Sequence, residues 1–274
     1  MPTELHEQSF SKIIEDLHQR GDVSAPRGLK IIELTNYDYV LPQFVRFMNF
    51  KSRKLNVDYI KNEFLWYLKG DRFDTSITKY AKMWNDVMNP DGSINSNYGQ
   101  YIFGEINQFD RVIETLKADK DSRRASIIIL RSEHFNSTTD IPCTYAINFR
   151  IRGRRDGEEE CDELEMTVRM RSQDAIYGMG SDAPIFSFVH EMVWMKLLEK
   201  YYCLELGKYY HSADSFHAYE KHFDMIEKIC SGDEFEVVQC PRMYNAKEVD
   251  FLRKLQFDSI PDEFKFTKWL TNIS

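Results

Sequence analysis

Two β-rich runs stand close together in this chain. CTYAINFRIR covers residues 143–152 and DELEMTVRM covers residues 162–170, with the charged segment GRRDGEEE between them. Such a pair reads as a β-hairpin. No other feature constrains the fold as much, because a hairpin brings its two open ends together. One end carries Cys143 and the other Arg171. The connecting segment reads as an exposed, dispensable loop.

The remaining pattern alternates helix and strand. Residues 3–20 read as a helix capped by Thr3, with Leu5, Phe10, Ile13, Ile14 and Leu17 near one face and Gly21 closing it. KIIELTNYDYVL (30–41) is β-rich and follows the loop VSAPRG. Helices are expected at 57–69, ended by Gly70, at 74–88 and at 105–118. Residues 91–99 read as a loop, and ASIIIL (125–130) as a buried strand. A long apolar helix is expected at 184–205, then a strand near KYYHSADS and a helix from about 217 to 230. There is no internal repeat and no linker, so one α+β domain spanning 1–274 is the economical expectation.

Composition supports a large core: 42% of residues are hydrophobic and 14% aromatic. The net charge of −8 argues against general nucleic-acid binding but leaves room for a local basic pocket. Cysteines 143, 161, 203, 230 and 240 show no metal-ligand spacing, which suggests a reducing compartment and no metal. MPTELHEQSFSK has no apolar signal core, and no apolar run approaches the roughly 20 residues of a membrane span. A cytoplasmic protein is expected.

Several residues could carry chemistry, and each has a plainer reading. Cys143 is a small buried hydrophobe or a nucleophile at a strand start, activated if Arg171 comes near it. Glu63, amid Phe64, Trp66 and Leu68, is a solvated helix residue or a carboxylate turned into a cleft to move protons. Arg123 and Arg124 are a solvated loop pair or a phosphate clamp. His217 and Tyr219 are a half-buried strand or helix start, or, sharing one side if extended, a pair of hydroxyl-binding groups. RMRSQDAIYGMGSD (169–182) offers Arg171 and Ser172 to an anion and ends on an unexplained carboxylate, Asp182. P-loop, GxGxxG, HExxH and GxSxG motifs are absent.

EFLWYLKGD, MWND, NSNYG, DSRR, the Pro-Cys strand, RSQD and DSFHAY occur in that order. The ordered set, from about residue 57 to 225, resembles the thymidylate synthase superfamily. INSNYG, DKDSRR, the Cys-Thr pair, RS-x-D and H-x-Y-x-x-HF are similar to its phage deoxycytidylate hydroxymethylase branch. The resemblance implies an α+β fold with a large mixed β-sheet flanked by helices, one sheet face packed in a homodimer. It also implies a nucleoside monophosphate substrate and 5,10-methylenetetrahydrofolate as co-substrate.

By matched position, Cys143 resembles the nucleophile that adds to C6 of the pyrimidine, and Glu63 the proton-handling carboxylate. Arg171 and Ser172 resemble phosphate ligands, while Arg123 and Arg124 resemble phosphate ligands supplied by the other subunit. His217 and Tyr219 match sugar-hydroxyl ligands and Asp174 a folate contact. Asn148 takes the place of a glutamine near the nucleotide, and Trp84 that of a cofactor-side aromatic. The family's N-terminal phosphate loop leaves Arg27 and Lys30 as candidates here.

Asp182 departs from the pattern. In thymidylate synthases the matching position is an asparagine that pairs with uracil. An acidic side chain accepts from the amino group of cytosine, so dCMP is the expected substrate over dUMP. Thr144 replaces the histidine that follows the nucleophile, which argues against simple thymidylate synthesis. KFTKWLTNIS does not resemble the apolar tail that closes over folate, an expectation of easier water entry and a hydroxymethyl product. The competing expectations are reductive methylation of dCMP or dUMP, and a non-catalytic nucleotide- or RNA-binding regulator.

Overall fold

A computed structural model describes residues 3–136, 140–153 and 161–273. Most of the expected hairpin loop, 154–160, lies outside the described residues. Helix α1 (Thr3–Arg20) is followed by strands β1 (Asp22–Ser24) and β2 (Ile31–Leu41). Helix α2 (Val57–Lys69), the short turns α3 (Met83–Asp86) and α4 (Gly99–Ile102), and helix α5 (Gln108–Ala118) come next. Strands β3 (Ser126–Ile128), β4 (Thr144–Gly153), β5 (Asp162–Met170) and β6 (Gln173–Asp174) lead into helix α6 (Tyr177–Leu197). The chain ends with β7 (Glu205–Tyr219), α7 (Phe223–Cys230), α8 (Ala246–Lys254) and α9 (Lys265–Thr271).

The strands form one mixed sheet in the order β1-β2-β7-β5-β4-β3, with β6 paired to β7. The β4–β5 hairpin is present, with Ile147 opposite Val168 and Thr144 opposite Met170. Helix α6 is the crossover that lets β7 lie parallel to β5. Its residues from Ala183 to Val193 are all buried, so this helix fills the core rather than skirting it. Ile147, Phe149 and Ile151 of β4 face that core, with Val168 and Met170 of β5. On the opposite sheet face Val40, Ile128 and Arg169 are exposed.

Some boundaries differ from expectation for local reasons. The helix expected at 74–88 breaks into a 3-10 turn (Ser76–Lys79) and α3. Asp74 binds the backbone N–H and hydroxyl of Ser76, a local arrangement that competes with helix. The helix expected from 105 starts at Gln108, where Asn107 (φ 47°) caps it by accepting from the Asp110 N–H. Helix α6 begins seven residues before its expected start (184 − 177) and ends at Leu197 rather than 205. Strand β7 runs through His217 and Tyr219, so both are extended rather than helical.

Candidate active site

The hairpin positions the thiol. The Arg171 N–H donates to the Cys143 carbonyl (2.8 Å), closing the ladder just past its last pair. The Arg171 guanidinium then folds back on the nucleophile's segment. Its Nε donates to the Pro142 carbonyl (3.1 Å), and its Nη2 to the Ile141 carbonyl (2.6 Å) and to Cys143 Sγ (3.6 Å). The Cys143 N–H donates to the Tyr98 hydroxyl (3.2 Å). Burial raises the thiol pKa, Arg171 and Arg27 oppose the rise, and Asp182 and Asp140 add to it. In the free protein the thiol is therefore held protonated, with two guanidinium groups ready to favour thiolate.

Two carboxyls lie within electrostatic reach of each other, and one of them, Asp182, also acts on the thiol. Glu63 is buried (5% exposed) on α2, and burial together with the charge of Asp182 pushes it up to about 8. The Tyr67 hydroxyl lies at 3.5 Å from its Oε1 and Tyr59 also approaches the carboxyl, while Oε2 has no hydrogen-bond partner among the described residues. Asp182 projects from the second turn of α6 and keeps some access to solvent. The crowding protein raises it to about 7, with Asp174 adding and Gln173 opposing. The Gln173 Nε2 donates to Asp182 Oδ2 (3.2 Å), and the Tyr39 hydroxyl donates to Gln173 Oε1 (3.1 Å). Tyr39 stacks on His211 (4.7 Å between centroids, 5° between planes), and the Tyr209 hydroxyl meets His211 Nδ1 (2.8 Å). Burial lowers His211 to about 3, so its ring is neutral.

The start of α6 is built by side chains from elsewhere in the chain. Asp174 accepts from the N–H groups of Ile176 (2.8 Å) and Tyr177 (3.2 Å). Arg53 donates to the Ile176 carbonyl (2.8 Å) and lies over Gly180, where a Cβ would meet its Nη2 at 2.6 Å. Gly180 thus admits the guanidinium against the helix backbone. Strand β6 runs beside β7, with Asp174 opposite His217. On the other side of β7, β2 sets Glu33 opposite His217 and Ile31 opposite Tyr219. His217 Nδ1 meets Ser215 Oγ (3.2 Å), and its ring packs against Tyr219 (5.2 Å).

These contacts bring together Cys143, Arg171, Glu63, Asp182, Asp174, His217 and Tyr219. Ser172 follows Arg171 at the same sheet end, half-buried. Of the two N-terminal candidates, Lys30 is tied to Glu220 (2.7 Å), whereas Arg27 acts on both Cys143 and Tyr219. Trp84 is buried against Trp66, and its Nε1 donates to the hydroxyl of Tyr59 (3.1 Å), which in turn approaches Glu63.

Three expected residues are not part of this group. Asn148 sits further along β4 on the exposed face, accepting from Ser126 Oγ (2.7 Å). From Cys143 to Asn148 the strand rises about 17 Å. Arg123 and Arg124 are exposed and precede β3 beyond that point, so they lie far from the thiol of their own chain. Sequence reasoning assigned no role to Gln173, Tyr98, Tyr39 or Asp140. The first two stand inside the motifs RSQD and NSNYG.

Residues 8–264 match the thymidylate synthase family model, and the chain belongs to that family. Among curated relatives, a deoxycytidylate 5-hydroxymethyltransferase of Enterobacteria phage T2 is 27% identical over 84% of this chain and 92% of its own length. The counterpart of Enterobacteria phage T4 is 28% identical over 77% of this chain and 85% of its own length. A deoxyuridylate hydroxymethyltransferase of Bacillus phage SP01 is 28% identical over 80% of this chain, which spans 57% of that protein's length. Family members transfer a one-carbon unit from methylenetetrahydrofolate to a pyrimidine nucleotide. No cluster of metal-ligating side chains occurs among the described residues, and no helix there is long and apolar enough to cross a membrane.

Proposed function

We propose that this protein is a folate-dependent deoxycytidylate 5-hydroxymethyltransferase acting on dCMP in the cytoplasm, of the host if the source is viral. The carrying observation is Asp182, a carboxyl near the start of α6 whose pKa is raised to about 7, within electrostatic reach of both Glu63 and Cys143. A neutral carboxyl donates to N3 of cytosine through one oxygen and accepts from the amino group through the other. Giving N3 a share of that proton withdraws electrons from the ring, which favours attack at C6.

The Cys143 thiolate adds to C6, and the electron pair released into the ring makes C5 a carbon nucleophile. Methylenetetrahydrofolate supplies the one-carbon unit at the oxidation level of formaldehyde. Glu63, with one oxygen unpartnered among the described residues, takes up and returns protons on the base side of the site. C5 forms the new carbon–carbon bond and then loses its proton. Departure of tetrahydrofolate leaves an exocyclic methylene; water adds to it, and the thiolate leaves C6. Arg171, Ser172 and Arg27 hold the phosphate, and His217 and Tyr219 the sugar hydroxyls. Asp174 and Trp84 border the folate. Arg123 and Arg124 reach the phosphate of the other subunit in a homodimer.

A second reading, hydroxymethylation of dUMP, is favoured by the likeness to the phage SP01 deoxyuridylate hydroxymethyltransferase. Incubation with methylenetetrahydrofolate and either dCMP or dUMP, with products weighed by mass spectrometry, separates the readings. The expected products are 5-hydroxymethyl-dCMP and tetrahydrofolate. Dihydrofolate would point to reductive methylation, and turnover of dUMP alone would refute the role given to Asp182. Asp182→Asn is expected to move preference toward dUMP.

A further inference from the structure

A neutral carboxyl by itself does not choose between the two bases. Cytosine presents an acceptor at N3 and a donor at position 4; uracil presents the reverse. A carboxyl facing that edge suits cytosine with its proton on the oxygen opposite N3. It suits uracil with the proton on the other oxygen. Something must tell the two oxygens apart.

We propose that Gln173 does so: its amide N–H keeps Asp182 Oδ2 as the acceptor, leaving Oδ1 to carry the proton and face N3, so that the pair reads cytosine. This rests on the reading of Asp182 as the base-contacting group. Nε2 donates to Oδ2 at 3.2 Å, while Oδ1 has no protein partner among the described residues. An oxygen that already accepts a hydrogen bond serves better as the carbonyl oxygen of the acid than as its hydroxyl. Protonating Oδ2 instead would call for an acceptor there, which Gln173 could offer only by turning its amide over.

That turn is blocked from behind. Oε1 accepts the Tyr39 hydroxyl at 3.1 Å, and Tyr39 has no other hydrogen-bond acceptor among the described residues. Gln173 is 2% and Tyr39 6% exposed, so water does not replace a lost partner readily. Tyr39 is itself held flat against His211. The Gln173 backbone is fixed by β6, where it stands opposite Phe216. The hydrogen bonds therefore run one way: Tyr39 to Gln173 to Asp182. Gln173 is a positioning residue that acts through Asp182.

The test compares kcat/KM for dCMP and dUMP in the wild type, Gln173→Met and Tyr39→Phe, between about pH 6 and 9. Gln173→Met keeps the side chain's length and removes the amide. We expect it to lower the dCMP:dUMP ratio about tenfold and to move the pH limb assigned to Asp182 upward. Tyr39→Phe, which removes one oxygen and frees the amide to turn, should lower the ratio less. If Gln173→Met does not fold, Tyr39→Phe decides alone. An unchanged ratio in every folded variant overturns the proposal. A wild type that prefers dUMP overturns the functional reading instead, and Gln173 is still judged by whether its loss changes the ratio.

Discussion

At the residue scale, the thiol and the two carboxyls pull against one another. Arg171 is the group that reconciles them, through two carbonyl bonds that hold the 141–143 segment and one contact to sulfur. A lysine keeps the charge but loses the planar fork, so Arg171→Lys is not a conservative change. It should slow turnover and the alkylation of Cys143 by about tenfold or more. Iodoacetamide labelling of Cys143 against pH checks this, and an unchanged rate would mean that Arg171 serves phosphate alone. Asp182 gives a second expectation. Its folded pKa of about 7 lies above the ordinary carboxylate value, so the folded state binds this proton more tightly than the unfolded chain. The contribution to stability is complete at acid pH and is lost as pH rises from about 4 through about 7. Asp182→Asn should therefore be more stable than wild type at about pH 8, by on the order of 2–4 kcal/mol, with the difference vanishing near about pH 4. Urea midpoints at the two pH values measure it. A difference that does not depend on pH would show that Asp182 does not carry the raised pKa.

At the scale of elements, the site depends on how closely α2 approaches its neighbours. Gly99 of α4 lies against the α2 backbone, where a Cβ would meet the Tyr67 carbonyl oxygen at 2.1 Å. Backbone cannot turn aside, so Gly99→Ala must push the two elements apart. The expected cost is about 1–3 kcal/mol, with a fall in kcat because α2 carries Glu63. A denaturation midpoint beside a kcat measurement tests both, and a variant of wild-type stability would contradict the contact. The same elements explain what the sequence disclosed. Helix α2 was legible from its apolar positions and Gly70, which ends it at φ 62°. The β4–β5 hairpin was legible too, and with it the meeting of Cys143 and Arg171. The start of α6 was not, because Gly178, Gly180 and Pro184 argue locally against helix. Asp174 and Arg53 build that turn, and Arg53 comes from a segment 123 residues away. Gln173 was missed for a similar reason, since its partner Tyr39 is 134 residues distant in the chain. Burial of Glu63 also depends on packing that no single helix reveals.

At the scale of the whole molecule, one sheet face packs on helices while the other exposes Val40, Ile128 and Arg169. An extended sheet face of this kind suits a self-complementary contact between two copies. Such a pairing would also give Arg123 and Arg124 a function, since both are exposed and far along the sheet from their own Cys143. If they serve the partner's phosphate, each site draws its thiol from one chain and these arginines from the other. Cys143→Ser protein and Arg123→Ala/Arg124→Ala protein would then be inactive or nearly so when assayed separately. After the two are unfolded together and refolded, half of the dimers are mixed, and each mixed dimer has one intact site. Activity should return to about a quarter of the wild-type value per chain. If the arginines act within their own chain, the intact combination never arises and mixing restores nothing. Sedimentation of the wild type provides the companion measurement, because a monomer at assay concentration would exclude supply in trans whatever the mixing experiment gave.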